Sequence, residues 1–496
     1  MRRLFQNIDT NDIGDKFLNR LVAKETCITE DLLYPFVDQY TGNGVTDLLI
    51  CLTCQYSIPE SRVLTDSFAK YEQTMENGLP VNYQEMFAGI YTVYKKYGID
   101  PIQVWLERCR MVGLTPWITF RMNDCHCPED DTCCLRPELF YEAKQKGWMI
   151  GERYGYYKNC LNFAVPEIRE VWLRLFDEQL GKYDTDGIEL DFMREIHCFD
   201  YVNEPNCREI MNGFMREVKA VVKTHEKAKG HPIAIGVRLM RDPEQCKIYG
   251  FDPETWDREG LVDMITVCPR WQTCDSDMPI AAWKKQLPNT RIYAGVETLV
   301  TCGEKSCYTT PEVVRGYANR YLSEGADGMY LYNYYTVPES ISEEEQRYYE
   351  RCQTVFETCG GEGLPMRYIV TKQDVIPEGC IGYEPLPMEM TDEGVSFELY
   401  AGNLRPDVTA ELIVGYKDAE PEQVKLYCNG TVVEGSRTES SPAFGALVPE
   451  EGCDVCTYVP DGSTTWGYAV PISESGRYSL RFRGKGTVTY LELTVK

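Results

Sequence analysis

Eight short apolar segments, separated by amphipathic stretches, constrain the fold of this chain more than any other feature. They are typical of buried strands and lie at 3–8, 47–53, 116–121, 187–192, 232–238, 262–268, 291–296 and 327–333. Helical patterns stand among them, at 29–40, 84–96, 102–112, 166–183, 206–227, 310–323 and 343–356. Strands that alternate with helices favour a parallel sheet. Eight such units over about 350 residues predict a closed (β/α)8 barrel of the α/β class.

A doubly wound open sheet is the competing topology, but the sequence has no Gly-x-Gly-x-x-Gly turn to support it. The connections after the second and third strands, 55–83 and 122–165, are long. In a barrel such connections build the site, because they leave the C-terminal ends of the strands.

The pattern changes after residue 358. Gly360, Gly361 and Pro365 mark the change, and short alternating runs follow at 395–400, 409–416, 423–428, 466–471, 477–483 and 487–495. The pair Asn429-Gly430 between two of these runs is a strong hairpin signal. We therefore predict two domains, a barrel over 1–358 and a C-terminal antiparallel β-sandwich over 366–496.

The charge balance limits the partners of the chain. Its 51 Lys and Arg residues face 77 Asp and Glu residues, which gives a formal net charge of −26. Such an anionic surface repels phosphate backbones and anionic lipids, so we expect neither a nucleic acid nor a membrane as partner. No apolar segment follows Arg2 and Arg3 in the manner of a signal peptide, and we expect a cytoplasmic protein.

The chain has 22 cysteines but only four histidines. Without a signal for secretion we expect reduced thiols rather than disulfides. The cluster Cys125-His126-Cys127 with Cys133-Cys134 could hold zinc, but its spacing matches no strong ligand pattern. We therefore expect no metal and no cofactor.

The fourth predicted strand carries the most informative acids. Side chains alternate along a strand, so Glu189 and Asp191 share one face, while Ile188, Leu190 and Phe192 share the other. The apolar face must pack on the helices, which points both carboxyl groups into the barrel. Burying two acids there costs free energy unless they are paired with cations or take part in catalysis. Repulsion between the two carboxylates also raises the pKa of one of them.

Two interpretations of these acids stay open. One of them could form an ion pair with Arg121 or Arg238 and only brace the barrel. Alternatively, raised and ordinary carboxyl pKa values side by side serve acid/base chemistry. Glu297 ends the seventh strand and faces the same mouth. Two carboxylates across a barrel mouth fit glycoside hydrolysis, in which one protonates the leaving oxygen and the other attacks the sugar or activates water.

Other side chains at strand ends are candidates for supporting roles. Asp124 is an alternative acid, and several arginines could bind an anionic substrate group or only neutralise the acids. Trp271, Tyr332, Tyr334 and Tyr335 could stack on sugar rings. The predicted substrate-binding residues are Gln55, Arg121, Asn123, His126, Arg194, Arg238, Arg270, Trp271, Tyr332 and Asn333.

The run from Asp186 to Arg194, Asp-Gly-Ile-Glu-Leu-Asp-Phe-Met-Arg, with Arg-Met-Asn-Asp-Cys-His at 121–126, resembles the family-10-type glycosyl-hydrolase-like barrels over residues 1–340. The strand is also similar to that of glycoside hydrolase family 18, Asp-Gly-x-Asp-x-Asp-x-Glu, with Met193 at the position of the acid. In the large barrel clan of glycosidases the acid ends strand four and the nucleophile ends strand seven. The resemblance places Asp191 and Glu297 there.

We therefore predict a glycoside hydrolase with Asp191 as general acid, Glu297 as nucleophile or base, and Asp124 and Glu189 as alternates. Its partner is a carbohydrate substrate, and a homo-oligomer stays open. Two rival functions are a non-catalytic carbohydrate-binding protein, and a metal-dependent lyase or isomerase that uses Glu189, Asp191 and Glu297 as oxygen ligands.

Overall fold

The computed structural model describes residues 2–10, 14–78, 81–269, 273, 276–297, 299–302, 305–332, 355, 364–370, 386–438 and 462–496. Several predictions fall outside these residues. They are the helix at 343–356, except for Val355, and the side chains of Arg270, Trp271, Asn333, Tyr334 and Tyr335.

Eight parallel strands close into a barrel, which confirms the predicted fold. They are β1 (Arg3–Ile8), β2 (Asp47–Cys51), β3 (Thr115–Arg121), β4 (Gly187–Asp191), β5 (Ala234–Met240), β6 (Met264–Cys268), β7 (Arg291–Glu297) and β8 (Gly328–Tyr332). Each strand pairs with the next, and β8 pairs with β1. Their C-terminal ends therefore meet in one mouth.

The helices are α1 (Asp15–Lys24), α2 (Pro35–Asp38), α3 (Ser67–Glu76), α4 (Val81–Tyr97), α5 (Pro101–Met111), α6 (Glu138–Lys146), α7 (Pro166–Lys182), α8 (Cys207–Lys229), α9 (Pro243–Ile248), α10 (Pro253–Glu259), α11 (Ile280–Gln286) and α12 (Pro311–Ser323). None of the described helices has the length and apolar character to cross a membrane. Proline suits the first turn of α5, where Asp100 also accepts hydrogen bonds from the Ile102 and Gln103 amides.

The helix predicted at 29–40 is not continuous. A 3₁₀ turn at Glu30–Leu33 precedes the short helix α2. Pro35 is the first residue of α2, and its missing amide hydrogen cannot continue the hydrogen-bond ladder of a longer helix. Helices α1, α3, α6, α9, α10 and α11 were not predicted, because they are short or weakly periodic.

The barrel interior is closed at the end opposite the mouth. An aromatic cluster that includes Phe5, Trp117 and Tyr293 fills it. Gly187 makes room, since a Cβ there would lie 2.3 Å from the Trp117 ring. Ile188, Leu190 and Phe192 pack in the larger core outside the strands, as predicted from the alternation along β4.

The C-terminal strands are β9 (Met366–Val370), β10 (Met388–Glu389), β11 (Val395–Tyr400), β12 (Ala410–Lys417), β13 (Lys425–Cys428), β14 (Thr431–Val433), β15 (Gly435–Arg437), β16 (Thr464–Val470), β17 (Arg477–Arg483) and β18 (Thr487–Val495). They form one antiparallel sheet in the order β9-β18-β12-β16-β15, with β10 beside β18, and a second in the order β11-β17-β13-β14. Asn429 and Gly430 both have positive φ in the two-residue turn between β13 and β14. The predicted hairpin is therefore confirmed.

The sandwich packs directly on the barrel through α12. Tyr317 donates a hydrogen bond of 2.6 Å to the carbonyl of Ile369, and the Asn319 amide donates to the carbonyl of Ala401 at 3.1 Å. The predicted boundary between 358 and 366 falls largely outside the described residues and stays a prediction.

Candidate active site

Three arginines and three aspartates form ion pairs at the mouth of the barrel. Arg238 on β5 holds Asp191 on β4 with two hydrogen bonds, Nε to Oδ1 at 2.9 Å and Nη2 to Oδ2 at 2.7 Å. Asp191 and Arg238 are register partners, so their side chains leave the sheet at the same level. The ion pair that the sequence left open as an alternative is thus present.

Arg121 and Arg194 complete this charged layer. Arg121 Nη2 donates to Asp9 Oδ2 at 2.6 Å, and Arg121 Nη1 donates to Asp124 Oδ2 at 3.4 Å. Arg194 Nε lies 3.8 Å from the same Asp124 oxygen. Asp9, which sequence reasoning missed, follows β1 directly. The rule that barrel sites stand at strand ends would have found it.

Glu189 lies one layer deeper and has no exposed surface. Its Oε1 accepts hydrogen bonds from the Thr119 and Tyr330 hydroxyls, both at 2.8 Å. Its Oε2 has no hydrogen-bond partner among the described residues. Burial, followed by the charge of Asp191, raises the pKa of Glu189 to about 7. A carboxyl group in this state carries its proton under mildly acidic conditions.

Asp124 has the opposite electrostatic state. Its Oδ1 contacts Nδ1 of His126, and Arg194 Nη2 donates to Nε2 of the same ring at 2.6 Å. Because arginine has no acceptor, Nε2 accepts and Nδ1 carries the proton given to Asp124. Burial acts to raise the pKa of Asp124, but the hydrogen bond from His126 and the charges of Arg194 and Arg121 hold it well below its usual range. Asp124 is an ionised carboxylate.

Glu297 ends β7 and is the register partner of Tyr332 on β8. Only 4% of it is exposed. Burial raises the pKa of the Cys268 thiol, at the end of β6, to about 12, and the charges of Arg238, Asp191 and Glu297 all act on that thiol. Glu297 therefore stands at the same end of the barrel as Asp191.

The amides of two predicted substrate-binding residues, Asn123 and Gln55, are engaged with the protein itself. The Asn123 amide donates to the His197 and Leu161 carbonyls at 2.9 and 3.1 Å, and its oxygen accepts from the Leu161 amide. Gln55 accepts from Arg136 at 2.8 Å and donates to the His126 carbonyl at 3.3 Å. Asn123 and Gln55 therefore shape the loops instead of presenting free amides.

Tyr332 is also engaged. Arg238 lies 3.7 Å above the centre of its ring, so one ring face is unavailable for stacking on a sugar. The remaining predicted positions, Arg270, Trp271 and Asn333, lie outside the described residues.

No protein-family model matches the chain, and no curated protein sequence matches it. Solved structures are similar to it. One is an α-L-fucosidase isoenzyme 2 from Paenibacillus thiaminolyticus, at 14% identity and a TM-score of 0.46, over 74% of this chain. The match spans only 51% of that fucosidase chain.

For two further similar structures, the match covers almost the whole length of the solved chain. One is a glycoside hydrolase family 18 N-acetylglucosaminidase from Paenibacillus barengoltzii, with 9% identity, a TM-score of 0.39 and coverage of 72% of this chain and 100% of that one. The other is the PgaB glycoside hydrolase domain from Bordetella bronchiseptica, with 10% identity and a TM-score of 0.41. That match covers 67% of this chain and 94% of the other. A likeness of this degree concerns the fold alone.

Among the described residues, the mouth contains a group of side chains whose donor atoms lie close enough to hold a metal ion. Cys54, Asp124 and His126 present ligand atoms within 4.8 Å of one another. The guanidinium groups of Arg121 and Arg194 face the same Asp124 carboxylate, however, and burial raises the pKa of the Cys54 thiol well above its usual value. Two adjacent cations and a protonated thiol do not fit a divalent metal.

The oxygen ligands of the rival metal-dependent barrel do not fit either. Both carboxylate oxygens of Asp191 are held by Arg238. In the Cys125–Cys134 segment, both ring nitrogens of His126 are engaged, because they contact Asp124 and Arg194. The mouth is built as a network of ion pairs around carboxyl groups.

Proposed function

We propose that the barrel mouth hydrolyses a glycosidic bond of an oligosaccharide or glycoside. The observation that carries the proposal is the contrast between two buried carboxyl groups. The pKa of Glu189 is raised to about 7, whereas that of Asp124 is held well below its usual range. Carboxyl groups driven apart in this way supply an acid and an anion at one pH, which glycoside hydrolysis requires.

Glu297 is the proposed nucleophile or base. It stands at the end of β7, and its charge and that of Asp191 both act on the Cys268 thiol. Its carboxyl group would attack the anomeric carbon or activate a water molecule. The distance between the acid and Glu297 decides between retention and inversion of the anomeric configuration.

Of the two acids on β4, Glu189 is the better proton donor. Its Oε2 lacks a partner among the described residues, so this oxygen is the atom that would hold the proton. Because Glu189 has no exposed surface, its proton would pass to the leaving oxygen through an intervening water molecule. Asp191 accepts two hydrogen bonds from Arg238 and two from the Met193 and Arg194 amides. A carboxylate held so fully as an anion acts as a positioning residue.

The substrate class follows from the polarity of the mouth. Arg121, Arg194 and Arg238 and their aspartate partners line it, and Arg194 and Asp9 keep the largest exposed fractions among them, 11% and 13%. Such a surface offers donors and acceptors to a polyhydroxylated molecule without leaving a net charge of one sign. We therefore expect a sugar substrate.

The test compares leaving groups. Chelator-treated protein is assayed against a panel of dinitrophenyl glycosides and the matching phenyl glycosides. A dinitrophenolate departs without protonation, whereas a phenolate needs it. Glu189→Gln should therefore lose about 10²–10⁴-fold in kcat/KM on the phenyl glycoside and far less on the dinitrophenyl one. Glu297→Gln should lose activity on both.

Two controls accompany these variants. Glu492→Gln changes a fully buried carboxyl group in the sandwich and should leave both rates unchanged. Asp191→Asn tests the alternative acid: if it, and not Glu189→Gln, shows the leaving-group dependence, Asp191 is the proton donor. Silence of the wild type on the whole panel would contradict the proposed hydrolysis.

One observation favours a second candidate, a non-catalytic carbohydrate-binding protein. Asp9, Asp124 and Asp191 are each engaged by arginine, as in a site organised for binding alone. The raised pKa of Glu189 argues against this candidate, since simple binding gives no reason for a protonated acid. Calorimetric binding of a sugar that is recovered intact would establish it.

A further inference from the structure

The loop after β3 contains two pairs of cysteine sulfurs in direct contact. The Cys127 and Cys133 sulfurs lie 2.7 Å apart, and those of Cys125 and Cys160 lie 3.0 Å apart. All four are free thiols in this structure. The proposed hydrolysis uses none of them, so the pairs need a separate explanation.

The two pairs differ in their access to solvent. Cys127 is exposed, whereas Cys125 and Cys160 are buried. Burial raises the pKa of both the Cys125 and Cys160 thiols. Because an external disulfide cannot reach buried sulfurs, this second pair is protected and provides a matched internal control.

A buried cation stands beside the exposed pair. Only 1% of Arg136 is exposed, and among the described residues it makes no ion pair. Its Nη2 donates to the Cys127 carbonyl, and its guanidinium group lies 4.0 Å above the Phe140 ring. A buried guanidinium group without a carboxylate partner is costly, and an anion formed nearby would relieve that cost.

The Cys133 sulfur is placed to supply this anion. Hydrogen bonds from the Cys134 and Cys127 thiols, together with the charge of Arg136, lower the pKa of the Cys133 thiol against the burial that raises it. Cys133 is thus the nucleophile behind an exposed partner, an arrangement found in dithiols that exchange with disulfides.

We propose that Cys127 and Cys133 form a redox-active dithiol, oxidised by low-molecular-weight disulfides. The exposed Cys127 sulfur attacks the external disulfide while its proton passes, through the Cys133 thiolate 2.7 Å away, to the departing sulfur; a mixed disulfide and one free thiol result. The Cys133 thiolate then attacks the Cys127 sulfur and releases the second sulfur as a thiolate, which takes a proton from water. Two electrons and the Cys127 proton thus pass from the protein to the external disulfide, which leaves as two thiols.

The dithiol is connected to the barrel mouth. Arg136 Nη1 donates to Gln55 Oε1 at 2.8 Å, and Gln55 Nε2 donates to the carbonyl of His126 at 3.3 Å. Closing the Cys127–Cys133 bond would remove the anion beside Arg136 and restrain the segment next to His126. The dithiol chemistry depends on the contact between the two sulfurs and is independent of the proposed hydrolysis.

The test uses the native full-length protein and oxidised glutathione. After incubation, free thiols are alkylated and the protein is digested without reduction for mass spectrometry. We expect a Cys127–Cys133 disulfide, while the Cys125–Cys160 pair stays reduced. Cys133→Ser should instead leave a glutathione adduct on Cys127, and Cys125→Ser should leave the Cys127–Cys133 bond unaffected.

Exposed Cys27 is the reference for general reactivity, because no thiol among the described residues contacts it. Glutathione on Cys27 with Cys127 and Cys133 still reduced would overturn the proposal. Equal oxidation of the buried pair would also overturn it, as would stoichiometric zinc that is released only when Cys127 and Cys133 are alkylated.

Discussion

Arg238 holds both carboxylate oxygens of Asp191 inside the barrel, at 2.7 and 2.9 Å, and each side chain is only 2% exposed. Asp191 also accepts from the Met193 and Arg194 amides at 2.8 and 3.0 Å. One carboxylate therefore fixes both the barrel wall and the start of the loop after β4. Removing either partner of such a pair leaves a buried charge without compensation.

Replacing Arg238 should be strongly destabilising. Arg238→Met should lower the free energy of unfolding in denaturant by about 3–5 kcal/mol, because Asp191 is left buried and unpaired. The matched control is Arg216→Met. Arg216 binds Glu259 with the same two-bond geometry, but its side chain is 46% exposed, so its loss should destabilise the protein far less. Similar losses in both variants would contradict this account of the mouth.

Glu189 should make stability fall as pH rises. Its pKa is raised from an ordinary 4.5 to about 7 in the folded protein, so its contribution is complete below the unfolded pKa and is lost as pH rises through the folded one. Glu189→Gln removes this loss. The variant should gain on the order of 3 kcal/mol relative to wild type between pH 4.5 and 8. Unfolding curves across that range test it, and a difference that does not vary with pH would contradict it.

Asp124 should show the opposite pH dependence. Its folded pKa is held below the ordinary 3.8 by His126, Arg194 and Arg121, so its contribution is present above the unfolded pKa and lost as pH falls through the folded one. Asp124→Asn should cost about 3–5 kcal/mol at pH 7. That cost should shrink as the pH is lowered below 4. A cost that grows in acid would show that Asp124 is protonated in the fold.

The pattern of apolar residues predicted the barrel because burial itself sets that pattern. Alternation along β4 placed Glu189 and Asp191 inside, and the positive-φ requirement of a two-residue turn identified Asn429-Gly430. These features depend on neighbouring residues, which a sequence shows directly. The ends of β7 and β8 were located on the same basis.

The pairing inside the mouth could not be predicted in the same way. Arg121 meets Asp9 only because β1 and β3 are brought to one end of a closed barrel. The sequence offered Arg121 and Arg238 equally as partners of the β4 acids. Loop geometry is also not apparent from a pattern: Gln55 has a φ of 61°, which turns its amide toward Arg136.

Where the barrel meets the sandwich, the close approach of α12 to β9 requires a glycine at position 316. A Cβ on Gly316, within α12, would lie 2.1 Å from the carbonyl oxygen of Arg367, which is backbone and cannot swing away. Gly316→Ala should therefore lower the midpoint of thermal unfolding, since overpacking of this kind costs about 1–3 kcal/mol. Gly213→Ala on α8 is the matched control, with nothing within 4 Å of the added methyl group. It should raise the midpoint, because alanine favours a helix by about 1 kcal/mol over glycine. If both variants were stabilised alike, α12 would not pack against β9 as this structure has it.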